Sequence, residues 1–187
     1  MEMESKQKLS FAQLFLLNAM RFVWEQHVYW TRMLLLSIAH RLGDQQYVTD
    51  RLLRNPRDIA NIFEEYYGKE IADKITGLLT EHLQIGAELI TALRDKKSDE
   101  AEKLTNQWYI NADKMADAFA SINPNYDREE LRNMLHTHLD LTTKEVAMRL
   151  AGNYGADIEA FDEVEREAIS MADYFALGII KQFPEKF

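Results

Sequence analysis

The sequence predicts an all-α fold, an up-down helical bundle with a long central first helix and a duplicated helical hairpin. Three observations carry this reading. Gly and Pro are scarce, at 7 and 3 of 187 residues, which favours helices joined by short turns over an all-β or Rossmann-type chain. Apolar residues recur at helical spacing through long segments with charges between them. The chain also repeats itself: Leu79-Thr80-Glu81-His82-Leu83 matches Leu135-His136-Thr137-His138-Leu139, and Met115-Ala116-Asp117-Ala118-Phe119-Ala120 matches Met171-Ala172-Asp173-Tyr174-Phe175-Ala176, both at an offset of 56 residues.

The repeat organises a single domain over residues 1–187. Two copies of a hairpin occupy 71–122 and 127–181, and a fainter echo lies in 9–66. In that echo His27 stands 55 residues before His82, and Ile59-Ala60-Asn61-Ile62-Phe63 stands 56 before Met115–Phe119. The first helix, about 9–41, is apolar on almost every side, from Leu14 and Phe15 through Trp24 and Trp30 to Ile38, which predicts contacts on several sides. A connector helix follows. Asn55-Pro56-Arg57-Asp58 reads as its start, with Asn as cap and Pro at the first helical position, and Tyr67-Gly68 as its end. The third helix covers about 70–94. The fourth starts at the Ser98 cap and stops before Asn123-Pro124. A capping box at Asp127–Glu130 announces the fifth. The sixth runs from about 157 to 181, after the turn at Asn153-Tyr154-Gly155.

Composition narrows the function classes. The net charge of −9 comes without a basic stripe, which argues against nucleic acid or an anionic membrane as partner. The chain has no cysteine, which excludes disulfides, thiolate catalysis and iron–sulfur clusters. Met1–Lys8 is charged, unlike a secretory leader, and Gln13, Asn18 and Arg21 interrupt the apolar stretch 11–23, which is too polar for a membrane span. A cytoplasmic protein is the expectation. There is no Walker loop, Gly-x-Gly-x-x-Gly or nucleophile elbow.

One place gathers the material for chemistry. His82 lies about a dozen residues before its turn, which puts Asn111 at the same height on the antiparallel partner. His138 is placed likewise opposite Glu167, and Asn111 and Glu167 are themselves 56 apart. His138, Thr142 and Glu145 share a helix face at i, i+4 and i+7, with Arg149 four residues beyond Glu145 as its pair. Glu25, His27, Thr31 and Arg32 cluster inside the apolar first helix. Imidazoles and carboxylates converging in a bundle core are the donors of a zinc, iron or manganese site. The expected ligands are His27, His82 and His138 with a carboxylate from Glu145 or Glu167. Glu25, Glu81 and Asn111 are the candidates for orienting the imidazoles. The chain lacks the Glu-x-x-His of di-iron bundles and the His-Glu-x-x-His of metalloproteases, so a metal site here is mononuclear or of unusual make-up. The alternative is a structural or interaction protein, with a homodimer as candidate assembly, whose polar core layer is a hydrogen-bond network fixing helix register. A weaker third reading is an organic ligand held beside Trp24 and Trp108.

Trp24-Glu25-Gln26-His27, Arg51-Leu52-Leu53-Arg54-Asn55-Pro56-Arg57-Asp58, Thr80-Glu81-His82-Leu83, Trp108-Tyr109-Ile110-Asn111-Ala112-Asp113 and Gln182-Phe183-Pro184 resemble an uncharacterised family of small bacterial all-helical proteins. Some of its members carry the label acetylglutamate kinase. That label implies an α/β fold with Gly-rich phosphate loops, and neither is present in this sequence. The chain is more loosely similar to ferritin-like and tandem helical-bundle proteins that bind metal between helices. This likeness implies a fold and says little about chemistry.

Overall fold

The computed structural model describes residues 8–187 and is all-helical over that range. Its helices are α1 (Phe11–Ala39), α2 (Gln45–Leu52), α3 (Asn55–Tyr67), α4 (Lys69–Arg94), α5 (Ser98–Ile122), α6 (Arg128–Leu150) and α7 (Tyr154–Gln182), followed by a 3-10 turn at Pro184–Lys186. The charged segment 1–7 lies outside the described residues. No helix among those described is long and apolar enough to cross a membrane.

Polar pairs fix the helix directions. Arg21 with Asp173 and Tyr29 with Glu165 set α1 antiparallel to α7. Lys144 with Glu163 and Arg149 with Asp157 do the same for α6 and α7. The three histidine-bearing helices α1, α4 and α6 run parallel. His27 faces His82 while Arg94 donates to the Ile38 carbonyl further along, and His27 faces His138 while Arg32 reaches Glu145.

The 56-residue period is visible in the core three times, not two. Phe63, Phe119 and Phe175 occupy one position of the repeat, and all three are buried. Their rings meet with centroids 5.3, 5.7 and 4.5 Å apart, distances at which aromatic pairs contribute about 0.5–1.5 kcal/mol beyond area burial. Ile59, Met115 and Met171 form a second matched set, and Ala60, Ala116 and Ala172 a third, all fully or almost fully buried. The faint echo in 9–66 therefore contributes the same core positions as the two later hairpins.

That first copy differs from the others for a local reason. Position 56 is Pro, where the later copies have Ala112 and Ala168. Proline lacks the N–H and crowds the carbonyl four residues back. A segment that is one helix in α5 and α7 is thus split into α2 and α3, with the break at Leu53-Arg54. The sequence signals gave no helix over 45–52 and made Asn55 a helix cap. In the structure Arg54 is the capping residue, and its side chain makes no capping bond. The Asn55 side chain is directed elsewhere, as described below. α1 is contacted on several sides, as expected. It packs against α7, α2, α3 and α4, yet Phe11, Phe15 and Phe22 remain 85%, 68% and 60% exposed. The helix is apolar all round but is not covered all round within this chain.

Tyr126, in the α5–α6 connection, closes one end of the bundle. It is buried, and its hydroxyl donates to the Phe175 carbonyl at 2.7 Å. Its ring lies against Gly178, where an added Cβ would stand 2.0 Å from Cε1. In an open helix Gly→Ala gains about 1 kcal/mol. Here the ring must move and its hydrogen bond weaken, so Gly178→Ala is expected to destabilise by about 1–3 kcal/mol in urea denaturation.

Candidate metal centre

His27 on α1, His82 on α4 and His138 on α6 are all buried, at 3%, 3% and 5% exposure. They stand between two apolar clusters. On one side lies the core around Trp24 and the three phenylalanines. On the other lie Leu34, Leu35, Ile38, Leu52, Leu83, Ile90 and Val146. The His27 ring is centred 6.2 Å from His82 and 5.8 Å from His138. One nitrogen from each ring falls within 4.8 Å of the others, and all three rings form one buried cluster.

Each ring is held from behind by a later helix, His27 by α3, His82 by α5 and His138 by α7. His27 Nδ1 lies 3.0 Å from Asn55 Oδ1, His82 Nδ1 lies 3.2 Å from Asn111 Oδ1, and His138 Nδ1 lies 3.0 Å from Glu167 Oε2. The donors and acceptors in the first two pairs follow from the amides. Asn55 Nδ2 donates to the Val23 carbonyl at 2.8 Å, and Asn111 Nδ2 donates to the Leu78 carbonyl at 3.2 Å and to Glu81 Oε2 at 3.0 Å. A carbonyl only accepts, so each amide nitrogen must face away from the ring and each Oδ1 toward it. Oδ1 also only accepts, so Nδ1 carries the proton. The lone pair of the neutral imidazole is then on Nε2, the nitrogen left free for an ion.

Burial disfavours the charged form of His27 and His82. It pushes His27 down to about 4, with the neighbouring His138 adding to the effect and the Asn55 bond opposing it. His82 is lowered well below the ordinary value by burial and by both other histidines. Three mutually close nitrogens with spacing up to 4.8 Å leave a point no more than about 2.8 Å from each, so the 2.0–2.1 Å bonds of a nitrogen-ligated zinc need inward shifts of under about 1 Å.

The expected carboxylate ligands are placed differently from expectation. Glu145 stands on the same helix face as His138, but seven residues along an α-helix are about 10 Å. It is buried there against Arg32, outside the three-histidine cluster. Burial raises Glu145 to about 7, with Arg32 opposing. The expected Glu145–Arg149 pair is not formed. Arg32 bridges Glu145 and the fully buried Asp157, and Arg149 pairs with Asp157 from the other side. Glu167 faces Nδ1 of His138 and so orients that ring from behind instead of supplying a ligand. Glu25 is half-buried on α1 and bonds no imidazole. Asn55 orients His27, the role expected of Glu25. Glu81 acts one step back, steadying Asn111, and Asn111 holds His82 as expected. Asn55 has a signal in the sequence, since it lies 56 residues before Asn111, but its position before Pro56 resembles a helix cap. Trp24 stacks on Phe175 in the core, and the space beside Trp108 is far below the 300–1,000 Å³ of an organic-ligand pocket.

The backbone around the site repeats as well. Thr31 and Thr142 hydroxyls donate to the His27 and His138 carbonyls, both at 2.8 Å. The matching position on α4 is Gly86, and there the Trp108 indole N–H donates to the His82 carbonyl at 3.1 Å. The Trp108 ring stacks on His82 with centroids 5.2 Å apart.

Comparison with protein-family profiles, with curated proteins and with solved structures finds no match.

The shifted histidines make the metal-free protein sensitive to acid. Below pH 6.5 the unfolded chain takes up protons that buried His27 and His82 refuse, so stability is lost as pH falls from 6.5 toward 4. His27 alone contributes about 3 kcal/mol to that loss. Glu145 acts in the opposite sense, because the native state holds its proton between about 4.5 and 7 while the unfolded state does not. Two histidines outweigh one glutamate. Urea titrations at pH 7 and pH 5 on chelator-treated protein are expected to give the lower stability at pH 5.

Proposed function

We propose that the protein is a metal-binding helical bundle whose centre is one divalent transition-metal ion held by Nε2 of His27, His82 and His138. The observation that carries this reading is the convergence of three buried imidazoles, each with its other nitrogen donated to a side-chain oxygen. A satisfied structural histidine needs partners for both nitrogens. Here the outward nitrogens are satisfied and one nitrogen of each ring lies within 4.8 Å of the others, where a single cation would serve all three. Histidine ligands with the second ring nitrogen tied to a carbonyl or carboxylate oxygen are the usual construction of a metal site.

The donor set favours iron or zinc over manganese. Imidazole nitrogen suits zinc, iron, copper and nickel, whereas manganese prefers oxygen donors. Three protein ligands leave a coordination position open, as catalytic metal sites do and closed structural zinc sites do not. Glu167 makes the third ligand unlike the other two. A carboxylate behind an imidazole raises the basicity of that ligand more than an amide does.

Elemental analysis of protein purified without a metal-affinity tag is expected to find close to one metal per chain after supplementation with Zn²⁺ or Fe²⁺. His138→Leu is expected to bring that content near zero while the helical circular dichroism persists. A wild type that takes up no metal when supplemented makes the polar layer a structural network instead. Glu167→Gln tests the supporting bond. The amide matches the Asn of the other two copies, so the fold is expected to stand while metal affinity falls about 10–100-fold in a competition titration.

A further inference from the structure

The three imidazoles are closed on one side and open on the other. Toward the helix starts the layer rests on the phenylalanine core. Toward the helix ends lies a small cavity whose wall includes all three histidines. Its remaining lining residues on α1, α4 and α6 lie after the histidines in sequence, such as Thr31 and Leu83. The cavity therefore stands over the coordination position that three protein ligands leave free.

Its size and polarity limit what can enter. The space open to the centre of a water-sized sphere is about 20 Å³, where roughly 10–15 Å³ holds a single water. The wall is almost entirely apolar, formed by residues such as Leu52, Leu83 and Trp108. No carboxylate, Lys or Arg lines it. Its two hydroxyls, on Thr31 and Thr142, already give their protons to helix carbonyls. No wall residue donates to the oxygens of a phosphate or carboxylate substrate, and a space little larger than one water excludes both by size. A diatomic molecule is within that limit, and the apolar wall suits a neutral one.

We infer that the open position receives a neutral diatomic ligand of the dioxygen class, admitted by size and held against the Trp108–Gly86 wall. This rests on the metal reading above. Gly86 is the control point. It stands where the other copies have threonine, and a Cβ built there lies 3.4 Å from Trp108 Cζ2. A methyl group there is thus in ordinary contact with Trp108, and a larger side chain adds bulk at a position that lines the cavity.

The test uses nitric oxide as the probe on the full-length protein loaded anaerobically with Fe²⁺, read by the electron paramagnetic resonance signal of the iron–nitrosyl. Iron content is measured on the same samples. The wild type is expected to form the nitrosyl nearly stoichiometrically and to exclude tert-butyl isocyanide, an iron ligand too bulky for the cavity. Gly86→Leu is expected to keep its iron and lose nitric oxide affinity at least tenfold. Gly86→Ala, which changes the packing least, is expected to fall between the two and serves if the leucine variant fails to fold. Iron bound without a nitrosyl, nitric oxide affinity unchanged in both variants, or ready binding of the isocyanide each overturns the inference while leaving the metal reading intact. Failure of the wild type to retain iron or any other supplemented metal overturns both.

Discussion

Each histidine of the polar layer is fixed by one hydrogen bond between Nδ1 and a side-chain oxygen on the returning arm of its own hairpin, and the rest of the site depends on it. That bond spans a hairpin, so it ties together two helices and one ring orientation. It is made three times, with partners 28, 29 and 29 residues downstream. Because Nδ1 is turned outward in every copy, Nε2 is turned inward in every copy. Burial then makes protonation of His27 and His82 unfavourable, which leaves lone pairs in the middle of an apolar bundle. The fold thus gathers one nitrogen of each ring around a single point.

The departures from threefold likeness fall where chemistry would need them. Behind the rings stand two amides and one carboxyl group, so the three imidazoles have unlike partners. Glu167 has no N–H to match the amide nitrogens of Asn55 and Asn111, and its Oε1 is buried without a partner. On the cavity side, two threonines and one glycine follow the three histidines. The glycine lets Trp108 close over His82 and take the carbonyl that a hydroxyl takes elsewhere. Pro56 splits one helix of the first copy and places Asn55 at the start of α3, directly facing His27.

Much of this was legible in the chain before folding. The period of 56 identified the hairpins, and counting residues from each turn placed Asn111 and Glu167 at the heights of His82 and His138. Those inferences are local, since hairpin geometry determines which residues meet. What was not legible depended on competition between partners. Asn55 carries two signals at once, a cap signature from Pro56 and a repeat position shared with Asn111, and only the packing of α3 against α1 decides between them. Glu145 looks like a ligand from its own helix alone. Its capture by Arg32 joins residues 113 positions apart, and no spacing rule reaches that far. Asp157 was hidden for the same reason, because an acid in the first turn of a helix ordinarily serves the helix dipole at the surface.

The central claim is that Nε2 of His27, His82 and His138 share one ion. Anomalous diffraction from crystals grown with zinc or ferrous iron tests it directly. The account predicts a single peak within about 2.0–2.2 Å of all three nitrogens, with every Nδ1 still facing Asn55, Asn111 or Glu167. An empty layer in metal-soaked crystals, or a peak at Glu145 and Asp157 with the histidines unligated, would contradict it.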